Sequence, residues 1–262
     1  RIGAGGMGTI YRALDRLSDE PVALKRLQTD FVPAESQLRL RLALANEFQS
    51  LAGLRHPHII SVSDYGFDAL QPFFTMELVV QPRSILSASQ FLDTNQKVDL
   101  LSQLLSALAY VHRRSIIHRD LKPGNVLLAG QTIKVVDFGL ATLAGKIEGR
   151  AGSLGYLAPE LLQGSGASVA SDLFAVGVLA YELLAGWHPF AESPNLAQAI
   201  LTQEADFTYV EIDPPLIGIL QRLLAKDPAA RYQDANRVRS DLHRALGRSV
   251  PGESASTRES FL

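Results

Sequence analysis

At 262 residues the chain is long enough for one or two domains with a substantial core, and 47% hydrophobic against 20% charged residues is an ordinary globular profile. Its 25 Lys and Arg against 27 Asp and Glu leave a net charge of −2, which excludes a protein held on nucleic acid mainly by its charge. The absence of cysteine excludes disulfide scaffolds, thiolate zinc sites and thiol nucleophiles.

The chain opens on Arg-Ile-Gly-Ala-Gly-Gly, with no apolar signal core, and reads as the middle of a longer parent with an incomplete first strand. Residues 9–13 and 21–25 are short β-branched or aromatic runs separated by a polar turn over 15–20. Leu40, Leu44, Phe48 and Leu51 then mark the apolar stripe of a helix spanning about 33–54, which Pro57 stops. Two more strands are predicted at 59–65 and 73–79.

From Asp93 the pattern turns helical. Val98, Leu101, Leu105, Leu108 and Val111 form one face of a long helix, with Asp93 or Thr94 available as its cap. A strand is predicted at 126–128 and another ending at Val136. Residues 172–184 are apolar nearly all round, the mark of a central buried helix, and Gly186 suits the left-handed turn that ends it. The same region, 174–187, is the most apolar of the chain, yet Glu182 interrupts it and it is shorter than the roughly 20 residues a membrane span needs. Closing helices are expected over 214–225 and 234–246, followed from 247 to 262 by a disordered tail or linker. The fold class is therefore α+β, a small sheet-rich half (1–76) joined through 77–82 to a larger helical half (83–246).

Several polar groups interrupt these apolar elements. Gly3, Gly5 and Gly8 form G-x-G-x-x-G, compatible with a dinucleotide-binding turn, a flexible hairpin, or a flap whose backbone N–H groups approach phosphate. The β-prone Thr-Ile-Tyr run that follows favours a strand–loop–strand flap over a loop that opens a helix. Lys25 ends the run Val-Ala-Leu-Lys and is either an exposed edge lysine or a positive charge turned away from Val22 and Leu24, with Glu47 the carboxylate placed to orient it. Ile117-His118-Arg119-Asp120-Leu121-Lys122-Pro123-Gly124-Asn125 sets five polar side chains beside core strands, where unpaired charge is costly. Val135-Val136-Asp137-Phe138-Gly139 ends a further strand in a carboxylate. Two carboxylates and an amide at strand ends suit hard-cation and phosphate chemistry.

In this order the motifs resemble the serine/threonine protein kinase family over about residues 1–246, and the glycine-rich opening and short connections are most similar to its bacterial members. The resemblance implies a two-lobed kinase fold and transfer of the γ-phosphoryl group of ATP to serine or threonine hydroxyls of proteins, with Mg²⁺ (Mn²⁺ as an alternative). It implies that Gly3, Gly5 and Gly8 cover the phosphates, that Lys25 contacts them, and that Glu47 pairs with Lys25. Ile10, Ala23 and Leu127 would sandwich the adenine, Met76 would stand at the back of its pocket, and Glu77 and Val79 would offer main-chain hydrogen bonds. Asp120 matches the catalytic aspartate, Lys122 the lysine near the γ-phosphate, and Asn125 and Asp137 the metal ligands. Ser153 matches a substrate-binding position. Glu160, of Ala158-Pro159-Glu160, would pair with Arg231, and Asp172 would tie down the catalytic loop.

The same resemblance implies a cytoplasmic module with sensor or effector domains attached in the parent chain, and no nucleic-acid partner; homodimerisation through the small half is left open. One departure stands out. Between Asp137 and Glu160 only Thr142, Ser153 and Tyr156 carry hydroxyls, so residues 143–152 offer nothing to phosphorylate beside Arg119. A nucleotide-binding pseudokinase scaffold is the alternative function, and a small-molecule phosphotransferase or a nucleotide-dependent dehydrogenase stand further off.

Overall fold

In the computed structural model residues 1–5, 8–27, 48, 51–68, 71–138 and 154–249 are described. The small lobe is a five-stranded antiparallel sheet of β1 (Gly3–Gly5), β2 (Gly8–Leu14), β3 (Pro21–Leu27), β4 (Val62–Asp68) and β5 (Gln71–Glu77), in the order β1-β2-β3-β5-β4. Strand periodicity decides which side chains turn inward. On β3 the buried residues are Ala23, Lys25 and Leu27, while Val22, Leu24 and Arg26 are half-buried. Gly8 begins β2 at φ +150°, and a Cβ there would lie 2.0 Å from the Arg26 carbonyl oxygen, so no other residue fits.

The strand expected over 59–65 is divided. Ile59 bridges to Val135 of the large lobe, the Ile60 N–H donates to the Val135 carbonyl, and regular pairing with β5 begins only at Val62. Its first residues have backbone groups committed across the lobes, which hydrophobic pattern cannot reveal.

The large lobe begins with β6 (Arg83–Ser84) and α1 (Ile85–Ala88), then α2 (Thr94–His112), capped by Asp93 in a reciprocal box with Gln96. A second sheet orders β6, β7 (Val126–Ala129) and β8 (Thr132–Val135) side by side. It carries the segment 118–125 at its edge. The helices α3 (Pro159–Leu162), α4 (Val169–Ala185), α5 (Leu196–Thr202), α6 (Pro214–Leu223) and α7 (Ala235–Ala245) complete the lobe. The central helix α4 is buried nearly all round, as its composition requires, and Gly186 ends it at φ +93°. Among the described residues no helix is long and apolar enough to cross a membrane.

Candidate active site

The cleft between the lobes is built from both. Ala23, Ile60, Met76 and Val136 form a buried apolar cluster, with Ile10, Val79 and Leu127 partly buried against it. Antiparallel register sets Ala23 opposite Met76, so β3 and β5 present these two side by side. This apolar slot combines residues of the small sheet with Leu127 and Val136 of the large lobe. The Glu77 N–H donates to the Ser61 carbonyl at 2.9 Å, leaving only its carbonyl for a ligand. Among the described residues the backbone of Val79 has no hydrogen-bond partner.

Beside the slot, Lys25 reaches out of β3, only 3% exposed, and its Nζ meets Asp137 Oδ1 at 2.5 Å. This joins the lobes through a buried ammonium and a carboxylate. Asp137 adopts φ +60° and Arg119 φ +70°, left-handed conformations that cost non-glycine residues on the order of 1–3 kcal/mol and persist where their surroundings impose them. Several contacts impose them here. The Val136 N–H donates to the Asn125 carbonyl at 2.9 Å, fixing the backbone just before Asp137. Asp172, buried at the start of α4, accepts the N–H of His118 (2.8 Å) and of Arg119 (3.0 Å), while His112 Nε2 lies 2.9 Å from its Oδ2.

The loop is held from inside by His118, fully buried against the Phe138 ring. Its Nδ1 accepts from the Asp120 N–H at 3.3 Å, so Nε2 carries the proton and donates to the Val136 carbonyl at 3.1 Å. Burial holds its pKa below the usual imidazole range, and the neutral form satisfies both partners. Asp120 thereby projects with its carboxylate accepting from Lys122 Nζ at 2.7 Å and from Asn125 Nδ2 at 3.0 Å. The Asn125 amide also donates to the Asp120 carbonyl at 2.7 Å, so its nitrogen faces both Asp120 acceptors and its oxygen is turned away from them. Two ammonium groups, two carboxylates and an amide thus lie on adjoining segments of the two lobes.

Glu160 and Arg231 form a bidentate pair, both contacts 2.7 Å, and the guanidinium also donates to the carbonyls of Ala225, Ala170 and Lys226. Glu47, Ser153 and Gly139 lie outside the described residues, as do most of the 33–54 helix and the 247–262 tail. Gly3, Gly5 and Gly8 stand on the antiparallel β1–β2 pair.

Sequence reasoning missed Ile60 and Val136 in the slot, and the ion pair of Lys134 Nζ with Glu77 Oε2 at 2.9 Å, which ties β8 to the end of β5. It also missed Tyr156, whose hydroxyl donates to Glu182 Oε2 at 2.5 Å. The interruption of the apolar α4 run by Glu182 was the one signal available for that contact.

The protein kinase domain family matches residues 1–241. The chain is 35% identical to a protein of Streptomyces coelicolor named a probable serine/threonine-protein kinase, over 97% of this chain and 40% of that one. It is 32% identical to the serine/threonine-protein kinase PrkC of Bacillus subtilis, over 94% of this chain and 39% of that one. It therefore spans about two-fifths of the length of these curated relatives. The crystal structure of the Mycobacterium tuberculosis PknI kinase domain superposes with a TM-score of 0.76 at 26% identity, covering 94% of this chain and 93% of that one. With the two lobes, the interlobe cleft and a match over nearly its whole length, the chain belongs to the protein kinase domain family.

Proposed function

We propose that this domain binds ATP with a divalent cation in the interlobe cleft and transfers the γ-phosphoryl group to serine or threonine hydroxyls of proteins. Its donor set fits the cation. Asp137 and Asn125 offer oxygen, the preference of Mg²⁺, since the Asn125 amide nitrogen is already spent on Asp120. The apolar slot of Ala23, Met76, Val136 and Leu127 fits the adenine. Asp137 and Asn125 would hold the metal, which when bound neutralises phosphate charge.

The chain's own residues do the rest. Lys25 holds a fixed positive charge at the phosphates, and Lys122 holds a second beside Asp120. Asp120 accepts the proton of the incoming hydroxyl at its carboxylate while the backbone contacts of Asp172 and His118 keep it in place. Residues 1–76, 77–82 and 83–246 are the small lobe, hinge and large lobe on this reading, and residues 247–262 are a tail or linker. Access to ATP puts the module in the cytoplasm.

The observation that carries this reading is the Lys25–Asp137 pair, since it brings a β3 ammonium from one lobe to the carboxylate after β8 of the other. The test is incubation of the purified chain with Mg²⁺ and γ-labelled ATP together with dephosphorylated casein. Label is expected on casein serine and threonine, and its loss in Lys25→Met and in Asp137→Ala. Nucleotide binding with no transfer under any of these conditions would leave a pseudokinase instead.

A further inference from the structure

Gly155 lies in the short turn Leu154–Tyr156, just ahead of α3. A Cβ on Gly155 would come within 2.8 Å of His188 Nε2, so the turn sits directly on that imidazole. Nδ1 of His188 accepts from the Phe190 N–H at 3.2 Å, which leaves the proton on Nε2 to donate to the Gly155 carbonyl at 3.1 Å. The same ring meets Tyr156 edge-on, centroids 5.7 Å apart at 89°. Tyr156 is therefore held at both ends, by the imidazole at its ring and by Glu182 at its hydroxyl. Tyr156 and Leu157 in turn wall a narrow cavity together with Arg119, Asp120 and Asp172.

We infer that His188 is a positioning residue for the phosphoryl acceptor: through Gly155 and Tyr156 it sets the wall beside Asp120 against which the acceptor chain lies. The inference rests on the kinase reading above and deepens it. A group is needed here that accepts on one side and donates on the other at a fixed span, and neutral imidazole does both. Glycine at 155 is the complement of that ring, since any side chain would push it off both partners.

The test is steady-state kinetics with ATP and dephosphorylated casein, alongside thermal melts. In His188→Ala, kcat/KM for casein is expected to fall about tenfold, chiefly through KM, with KM for ATP within about twofold of the parent. His188→Gln, whose amide nitrogen reaches the Nε2 position, should recover most of the loss. Gly155→Ala should show the same defect as His188→Ala, and the double variant should be no worse than either single one, because the clash and the prop vanish together. A casein KM unchanged in His188→Ala overturns the inference while leaving the kinase reading intact. So does a parallel loss toward ATP and casein that tracks a lowered melting temperature and is not rescued by Gln. A parent chain that labels no casein overturns the kinase reading, and the inference falls with it.

Discussion

On the proposed reaction, Asp120 is already bonded to Lys122 and to Asn125, so its charge is partly neutralised and its direction fixed before an acceptor arrives. Replacing it by Asn keeps the shape and removes the proton acceptor. Asp120→Asn is expected to hold ATP affinity within about threefold in calorimetric titration while turnover falls by on the order of 10²–10⁴. Affinity falling in step with turnover would count against the role. Arg119 carries a second expectation. With no hydroxyl in residues 143–152 to become a phosphate partner for it, activity should survive full phosphatase treatment of the chain. Mass spectrometry that finds stoichiometric phosphate on Thr142 or Ser153, together with activation by it, would defeat that expectation.

Among the elements, α4 is the beam on which the site rests, and its packing is tight enough to be tested. A Cβ at Gly177 would lie 2.8 Å from Leu223 Cβ and 3.1 Å from a Leu224 methyl, where α6 crosses α4. Gly177→Ala should therefore cost about 1–3 kcal/mol in urea unfolding despite the better helix propensity of alanine. A neutral or stabilising result would mean that α6 moves away freely. The start of this helix shows where sequence reading stops. Its apolar run predicts a first residue at Asp172, whereas the helix begins at Val169, because Ser168 and Ser171 cap each other's backbone. Polar capping residues carry no hydrophobic period. The long α2 was legible from its stripe and its Asp93 cap, both local signals. The 59–65 strand was misjudged for the opposite reason, since its first backbone groups are taken by a partner in the other lobe.

For the whole molecule, motifs named the polar groups of the cleft, but their partners across the lobes come from folding alone. Lys25 meeting Asp137 and Lys134 meeting Glu77 join residues far apart in the chain, and only the register of β3 on β5 and the return of β8 make them neighbours. A third bridging feature is the segment from His56 to Ile60, which passes between the lobes and hydrogen-bonds Val135 on both sides. His56 accepts the His58 N–H at Nδ1 (3.2 Å), sits 3.3 Å from Ser106 Oγ at Nε2, and packs on the Tyr110 ring. Burial, with His58 nearby, pushes its pKa down to about 4 from the ordinary 6.5, and burial likewise lowers His58, His118 and His243. Between those two pH values the unfolded chain binds more protons than the folded one, so acid favours unfolding. The contribution of His56 is fully present above pH 6.5 and is lost as pH falls toward 4. Calorimetric melts should show the midpoint dropping steadily from pH 7 to pH 5, with a shallower drop in His56→Gln, which has no proton to take up. An identical slope in that variant would move the acid sensitivity away from His56 and onto His58, His118 and His243.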